Sequence, residues 1–334
     1  MTEAKPKEKK STLRVLLPRV LFTLATLGLW WWIADLDVES LLESTASLPL
    51  SALGLGLVVS LLNLVVGSVR WRVLLSAYGA ERLPPFRTLV HLYYVGIFFN
   101  TFAPANVGGD VLRGHVTKNA FDGKAGAYLI VLIERVFGLA GLMLLASALM
   151  TIAPIPDLDI PGWLGPLGVT AALGAALAPT IGRRIAPWLP GALGRLAGDL
   201  PALVNPGLMF VVLLLSIMTQ ALVAVTGYVC ISALAPEVTL VDSLVMVPVA
   251  MVSMYLPTIA GLGAREASFV FLFGLLAVGE ADATAASLGV FGIQIATALV
   301  GGLVLLTAGL PKVQGAEDES ENREDDATSS DKGE

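Results

Sequence analysis

Two apolar stretches of the 334-residue chain are interrupted by similar motifs, N-T-F-A-P-A-N-V-G-G-D-V-L-R at residues 100–113 and Y-L-P-T-I-A-G-L-G-A-R-E at residues 255–266. Each motif has a proline, then paired glycines, then an acidic residue near an arginine. Proline removes a backbone donor and glycine frees the backbone, so each motif predicts a break in a helix. The predicted helix-break and gating residues are Asn100, Pro104, Gly108, Gly109, Pro257, Gly261 and Gly263.

Long apolar runs surround these motifs. A helix needs about 20 apolar residues to cross a bilayer, and six runs are long enough: 13–34, 50–69, 125–150, 164–181, 207–234 and 284–309. Three runs are too short and are expected to be buried half-helices or re-entrant segments: 88–103, 243–256 and 267–279. With 55% hydrophobic and 14% charged residues, the composition excludes soluble globular and disordered proteins. It predicts an all-α polytopic membrane protein with six full transmembrane helices and two re-entrant or broken elements.

Lys and Arg are distributed unevenly among the predicted connections. Of the 21 basic residues, 19 lie in the segments 1–19, 70–87, 111–124, 182–206 and 312–334. Neither Lys nor Arg occurs in the connections 35–49, 151–163, 235–242 and 280–283. Because cytoplasmic connections are enriched in Lys and Arg, we expect a multi-pass membrane protein with both termini in the cytoplasm. Arg70 and Arg72 are accordingly assigned to the cytoplasmic interface.

The order of long and short runs is the same in residues 50–150 and 207–309, but the first half begins outside and the second inside. Opposite-facing repeats with interrupted helices are typical of secondary transporters. We therefore predict an inverted repeat within a single membrane domain, residues 13–310, preceded by a basic cytoplasmic N-terminus, 1–12. Residues 315–334 carry nine acidic and two basic residues and are expected to be a disordered cytoplasmic tail. The alternative is two unrelated loops with similar breakers.

Only two basic residues, Arg135 and Arg265, lie outside the predicted cytoplasmic segments. Arg135 lies roughly 15 Å into the run 125–150, near the bilayer midplane, where a charge is costly and therefore marks a functional candidate. Adjacent helical residues point about 100° apart, so Glu134 and Arg135 are each expected to have another partner. We predict one cluster containing both arginines, and the candidate substrate-binding residues are Asp110, Arg113, Glu134, Arg135, Arg265 and Glu266. The alternative is a set of ion pairs that fixes helix packing.

The cysteine and histidine content and the absence of known catalytic motifs argue against a metal site and against enzymatic activity. Cys230 is the single cysteine and the chain has two histidines, too few for a cysteine or histidine metal site. The sequence lacks G-x-x-x-x-G-K-[ST], H-E-x-x-H and G-x-S-x-G. We therefore expect no metal, no cofactor, no nucleic-acid partner and no enzymatic activity.

Two structural expectations concern small features of the chain. Residues 35–48 mix leucines with acids and predict a short amphipathic helix at the outer surface. Glycines within the apolar runs are expected at helix-packing contacts, namely Gly54, Gly56, Gly301 and Gly302.

Four motifs together resemble the lysylphosphatidylglycerol synthase transmembrane-region family, also called flippase-like proteins. They are R-W-R-V-L-L (70–75), the motif at 100–113, E-R-V-F-G-L (134–139) and G-L-G-A-R-E (261–266). The resemblance covers roughly residues 13–310. It implies a protein of the cytoplasmic (inner) membrane that moves, or helps to move, a lipid between leaflets. Two-domain members carry a soluble aminoacyl-transferase domain, whereas this chain ends in a short acidic tail, so lysyl transfer is not expected.

The residues and the resemblance both predict translocation of a phospholipid or lipid-linked headgroup. Arginine suits a phosphate because its planar fork donates paired hydrogen bonds. The alternatives are a scaffold or accessory subunit for a separately encoded lipid-modifying enzyme or glycosyltransferase, and a membrane transferase.

The predicted topology can be tested with single cysteines on a Cys230→Ser background. A cysteine at Asp318 should react with an impermeant maleimide only from the cytoplasmic side, and cysteines in 151–163 only from outside. Labelling of position 318 from outside would contradict the topology.

Overall fold

A computed structural model describes residues 38–102, 108–121, 126–155, 157–158, 160–255 and 261–310. These residues form helices and turns without β-strands. The helices are α1 Val38–Ser47, α2 Leu50–Ala77, α3 Phe86–Phe102, α4 Gly108–Val116, α5 Gly126–Ile152, α6 Leu164–Ile185, α7 Gly191–Gly198, α8 Leu208–Leu234, α9 Leu240–Met251, α10 Ala264–Gly274 and α11 Glu280–Ala308. Short 3₁₀ turns occupy Lys118–Ala120, Ala186–Trp188 and Val252–Tyr255.

Five of the described helices are long and apolar enough to cross a membrane: α2, α5, α6 with the turn that follows it, α8 and α11. They correspond to five of the six predicted spans. The sixth, 13–34, lies outside the described residues, as do the N-terminus 1–12 and the tail 315–334. The predicted amphipathic helix within 35–48 is present as α1.

The predicted span 50–69 ends too early. Helix α2 continues for 28 residues to Ala77, because Trp71, Leu74 and Leu75 keep an apolar face buried beyond the arginine that follows residue 69. Arg70 and Arg72 consequently lie on the helix and not in a loop.

The three short runs correspond to three short helices, and a fourth short helix, α4, lies outside them. The run 88–103 is α3, 243–256 is α9 with the turn after it, and 267–279 falls largely in α10, while the first motif also starts α4. Residues 103–107 and 256–260 separate the short helices in each half and are not described, so Pro104 and Pro257 lie outside the described residues.

Helices α2–α5 and α8–α11 make corresponding contacts. Helix α3 packs on α11, and its counterpart α9 packs on α5; α2 contacts α11 as α8 contacts α5. The pairs α2–α3, α3–α4 and α4–α5 correspond in the same way to α8–α9, α9–α10 and α10–α11. Helices α2 and α8, which are counterparts of each other, pack together extensively. Two similar quartets of helices therefore share one bundle.

Hydrogen bonds between chain segments define two ends of this bundle. At the Ala77 end, the amides of Val204 and Asn205, just before α8, donate to the carbonyl of Ala77 at 2.9 and 3.0 Å. At the Glu280 end, the Ser44 hydroxyl donates to Asp282 Oδ1 at 2.8 Å and joins α1 to the start of α11. Because α2 runs from one end to the other, α8 and α11 start at opposite ends.

The apolar core has two parts. One surrounds Trp71 and Phe137 and is formed mainly by α2, α3, α5, α6 and α8. The other surrounds Phe269 and Phe273 and is formed mainly by α8, α9, α10 and α11.

Glycines permit the closest helix contacts. A Cβ at Gly301 would lie 2.0 Å from the carbonyl oxygen of Tyr94, and one at Gly109 would lie 2.1 Å from that of Gly96. Gly56 and Gly302 also face side chains of other helices, as predicted. At Gly54, a Cβ meets none of the described residues within 4 Å, so no helix contact among them supports that prediction.

Replacing Gly301 with alanine should destabilise the bundle by about 1–3 kcal/mol, because the clashing atom is backbone that cannot rotate away. Gly292 of the same helix has open space around it and is the matched control. Gly292→Ala should be neutral or stabilising by up to about 1 kcal/mol, since alanine favours helix more than glycine does. Thermal unfolding in detergent measures both, and equal effects would contradict the prediction.

Candidate functional site

Five ionisable side chains meet between α2, α4 and α5, and we call Arg70, Asp110, Arg113, Glu134 and Arg135 the five-charge network. Glu134 accepts from Arg70 Nε at 3.2 Å and Nη2 at 3.0 Å through one oxygen, and from Arg113 Nη1 at 2.7 Å through the other. Asp110 accepts from Arg113 Nη2 at 2.5 Å and from Arg135 Nε at 2.6 Å. Each carboxylate is thus held by two guanidinium groups. As expected from their helical positions, Glu134 and Arg135 have separate partners.

Exposure differs within the network. The side chain of Arg135 is 34% exposed, whereas those of Asp110 and Arg113 are 9% exposed. Arg135 is therefore the most exposed arginine of the network.

Aromatic rings hold Arg113 in place. Its guanidinium carbon lies 5.1 Å from the ring centre of Trp71 and 4.5 Å from that of Tyr93. Both distances are within the range of cation–π attraction. The Tyr93 hydroxyl also donates to Glu134. Arg113 is consequently fixed both by aromatic rings and by carboxylates.

The first helix break places Asp110 in this network. The Asn100 side chain at the end of α3 accepts from the amide of Gly109 at 2.8 Å and so caps the start of α4. Asp110 lies in the first turn of α4, where the helix dipole favours a negative charge. The predicted break residues Asn100, Gly108 and Gly109 therefore position the acid.

The five-charge network faces a cavity of about 290 Å³. The cavity is lined by Asn63, Leu64, Gly67, Arg70, Tyr93, Asn100, Asp110, Arg113, Glu134, Arg135, Gly138, Thr219, Gln220 and Val223. Within the part of the chain that the structure describes, the buried Asn63 Oδ1 has no hydrogen-bond partner. The wall therefore has an unused acceptor beside its charges.

The cavity lies deep in the bundle, on the side of the Ala77 end. Arg70 is seven residues before the end of α2, about 10 Å along the axis, and Glu134 is eight residues into α5, about 12 Å. Thr219 is eleven residues into α8, about 16 Å.

The ionised side chains of the cavity do not balance. Among the described lining residues, three arginines face two carboxylates, which gives this part of the lining a formal charge of +1. A buried excess charge is unfavourable unless a counter-ion accompanies it. The arrangement therefore suits an anion, and guanidinium groups suit phosphate or carboxylate oxygens in particular.

Arg265 does not join this cluster, so the prediction of one charged cluster is wrong. Arg265 Nη2 donates to Glu266 at 2.5 Å and its Nε donates to Ser287 at 3.1 Å. Its Nη1 lies 3.4 Å from the amide oxygen of Gln294, and its guanidinium carbon lies 4.9 Å from the ring centre of Phe291. These five residues form the Arg265 network. The reason for the separation is that α10 packs on α11, away from α4 and α5.

The second helix break positions the Arg265 network. Gly261 and Gly263 have φ angles of 80° and 81°, a conformation that a side chain resists. The amide of Gly263 donates to Glu266 Oε2 at 2.7 Å and so caps α10. Glu266 thus binds both the break and Arg265.

Arg70 is predicted to lie at the cytoplasmic interface, and its guanidinium belongs to the five-charge network. Its Nη1 also donates to Ser216 and Thr219 of α8, at 3.2 Å each. Arg72 instead lies 3.4 Å from the carbonyl of Pro84, outside the cavity lining.

Several lining residues are absent from the predicted site: Asn63, Tyr93, Thr219 and Gln220. Polar side chains within long apolar runs were an available signal for three of them, since such groups are costly in lipid. Among the residues that the structure describes, no cluster of three or more His, Cys, Asp or Glu is arranged to hold a metal ion.

Replacing Glu134 with glutamine should destabilise the protein by about 3–5 kcal/mol, because it leaves two buried arginines without their shared carboxylate. Glu237→Gln, at an exposed position in the connection before α9, is the control and should have no such effect. Thermal unfolding in detergent is the measurement, and an unchanged midpoint for Glu134→Gln would contradict the network's structural role.

Comparison with known proteins bears on this site. The sequence model of the lysylphosphatidylglycerol synthase TM region family matches residues 17–302. The match includes both helix breaks and all charged residues of the two networks. The search of curated proteins finds no match. Because the match covers most of the chain, the protein is a member of the lysylphosphatidylglycerol synthase TM region family.

Proposed function

We propose that this membrane protein moves a lipid between leaflets by taking its anionic headgroup into the cavity of the five-charge network. The observation that carries the proposal is the cavity lining, in which three arginines face two carboxylates deep in an apolar bundle. Lipid tails can stay in the bilayer while a polar, partly wet path receives the headgroup.

The cavity dimensions favour a headgroup over a whole lipid. Its volume of about 290 Å³ is at the lower end of the roughly 300–1,000 Å³ of pockets that enclose drug-sized ligands. Arg135 supplies an accessible guanidinium, and Asn63, Thr219 and Gln220 supply neutral hydrogen-bonding groups. A phosphate with a small polar substituent matches this combination.

The chemistry of the carboxylates favours binding over covalent catalysis. Asp110 and Glu134 each accept from two arginines, an arrangement that suits electrostatic positioning rather than proton transfer. We therefore propose a translocator and not an enzyme, with a membrane lipid as its substrate.

The orientation completes the proposal. Arg82 lies in the connection after α2, Arg87 in the first turn of α3, and Arg183, Arg184 and Arg195 in the last turn of α6 and in α7. These segments lie near the Ala77 end, so the positive-inside rule assigns this end to the cytoplasm. The cavity then receives headgroups from the inner leaflet of the cytoplasmic membrane. The corresponding contacts of α2–α5 and α8–α11 support an inverted repeat, with the short helices as re-entrant elements.

Arg135→Gln should reduce lipid translocation at least about tenfold, because it removes the accessible charge-assisted donor, which is worth about 1.5–3 kcal/mol. Arg135→Lys should retain part of the rate, since it keeps the charge but loses the paired donation. The assay follows fluorescent phosphatidylglycerol between leaflets of proteoliposomes, with aminoacylated and polyprenyl-phosphate lipids tested in parallel.

Arg184→Gln is the matched control, since Arg184 is exposed near the Ala77 end and is not in the cavity. It should translocate like the wild type. If wild-type protein moves none of these lipids, with or without a pH gradient, the scaffold or accessory-subunit function is favoured instead. Loss of association with a lipid-modifying enzyme in the Arg135 variants would then support it.

A further inference from the structure

The Arg265 network repeats the main parts of the five-charge network. In both, a guanidinium on a short helix after a break lies over an aromatic ring, Arg113 over Tyr93 and Arg265 over Phe291. In both, that guanidinium donates to a carboxylate on its own short helix, Asp110 or Glu266. Hydroxyl groups of a long helix complete each set, Ser216 and Thr219 on Arg70 and Ser287 on Arg265.

The two networks lie at opposite ends of the bundle. Ser287 is seven residues into α11 and Gln294 fourteen, about 10 and 21 Å from the Glu280 end. The five-charge network lies at a similar depth from the Ala77 end. Helices α4 and α10, which carry the two guanidinium groups, are counterparts in the contact pattern.

The networks differ in accessibility. Arg265 is 0% exposed and Glu266 is 1% exposed, whereas Arg135 lines an open cavity with a third of its side chain exposed. The Arg265 network is thus closed in the conformation in which the five-charge network is open.

A buried hydroxyl group, that of Thr284, lies on the helix face that carries Ser287. Thr284 lies one helical turn before Ser287 and therefore on the same face of α11. It is 0% exposed, and its hydroxyl has no hydrogen-bond partner among the described residues. A buried hydroxyl without a partner is unfavourable and is a rare feature unless something else satisfies it.

We infer that the Arg265 network is a second binding site for the phosphate of a lipid headgroup, reached from the Glu280 end and closed in this conformation. The inference rests on the proposed function, because the same headgroup occupies the two sites alternately. When the site opens, the phosphate replaces the Glu266 carboxylate on Arg265 and accepts from Ser287 and Thr284.

Glu266 keeps this site closed. Its two oxygens accept from Arg265, from Ser287 at 3.2 Å and from the amide of Gly263, so it ties the second break to α11. Glu266→Gln removes the charge that binds Arg265 and should shift the protein toward the conformation open at the Glu280 end. Ser287→Ala removes two neutral-partner hydrogen bonds from the same set, the one accepted from Arg265 and the one donated to Glu266, but leaves the ion pair intact and is the milder variant.

Thiol accessibility tests the inference in the full-length chain on a Cys230→Ser background. Thr284→Cys reports on the second site without removing a hydrogen bond of the closed conformation, and Val223→Cys reports on the cavity. Ala298→Cys is the buried control on α11. An impermeant maleimide is added to each side of oriented membrane vesicles.

In the wild-type network, Val223→Cys should react from one side and Thr284→Cys should be nearly unreactive. Glu266→Gln should increase labelling of Thr284→Cys from the opposite side by about tenfold, the scale of one charge-assisted hydrogen bond, and decrease labelling of Val223→Cys. Ser287→Ala should give the same changes at smaller size. Unchanged labelling in both variants, or equal increases at Ala298→Cys, would overturn the inference.

Ligand protection tests the chemistry of the site. Dihexanoyl phosphatidylglycerol should slow labelling of Thr284→Cys in Glu266→Gln, and Arg265→Gln should abolish this protection. If inorganic phosphate slows the labelling of Thr284→Cys and the lipid does not, the site binds free anions and the lipid assignment is overturned. Protection by the lipid that persists in Arg265→Gln also overturns it.

The failure of this inference is distinguishable from failure of the proposed function. Arg135-dependent lipid movement without reciprocal labelling supports the translocator and rejects the second site. Reciprocal labelling with lipid protection, but without lipid movement in proteoliposomes, retains the second site and rejects autonomous translocation.

Discussion

The pairing of buried arginines with carboxylates is the interaction on which the rest of the structure depends. A guanidinium inside an apolar bundle is stable only when its charge and its donors are satisfied. Glu134 satisfies this requirement for Arg70 and Arg113 at once, and it thereby fixes α2 and α4 against α5. Asp110 then holds Arg113 and Arg135 together. The cavity has its shape because these side chains, rather than apolar ones, occupy the space between the three helices.

The same requirement explains why the bundle has two charged centres instead of one. Each short helix after a break begins with polar groups that cannot face lipid, so each must have partners on a long helix. Asn100 and Glu266 cap the two starts, and α5 and α11 supply the long-helix partners. Since the short helices enter from opposite ends, their charges are separated along the bundle axis. Among the described residues, one charged centre therefore lies toward each end of the bundle.

Much of this organisation could be predicted from the sequence, because hydrophobic length and basic asymmetry are strong signals. The five described spans, the short helices and the break residues follow from run length, proline and glycine. The end of α2 could not be predicted, because the burial of Trp71 and Leu74 by other helices keeps it helical past Arg70. The separation of Arg265 from Arg135 could not be predicted either, since two residues about 130 positions apart are brought together or kept apart only by helix packing. Cavity residues such as Tyr93 are indistinguishable in sequence from the apolar residues beside them.

The close contacts of α3 have a mechanical consequence. The carbonyl of Gly96 touches Gly109 at the start of α4, and the carbonyl of Tyr94, half a turn earlier, touches Gly301 of α11. Main chain, not side chain, therefore transmits force from the helix that carries Asp110 to the helix that carries Ser287. A contact between main-chain atoms cannot be relieved by a change of side-chain rotamer. A shift of α4 along α3 would therefore either displace α3 against α11 or separate α4 from α3. Helix α3 thus connects α4 to α11 through rigid main-chain contacts. These contacts do not depend on the side chains at the other positions of α3.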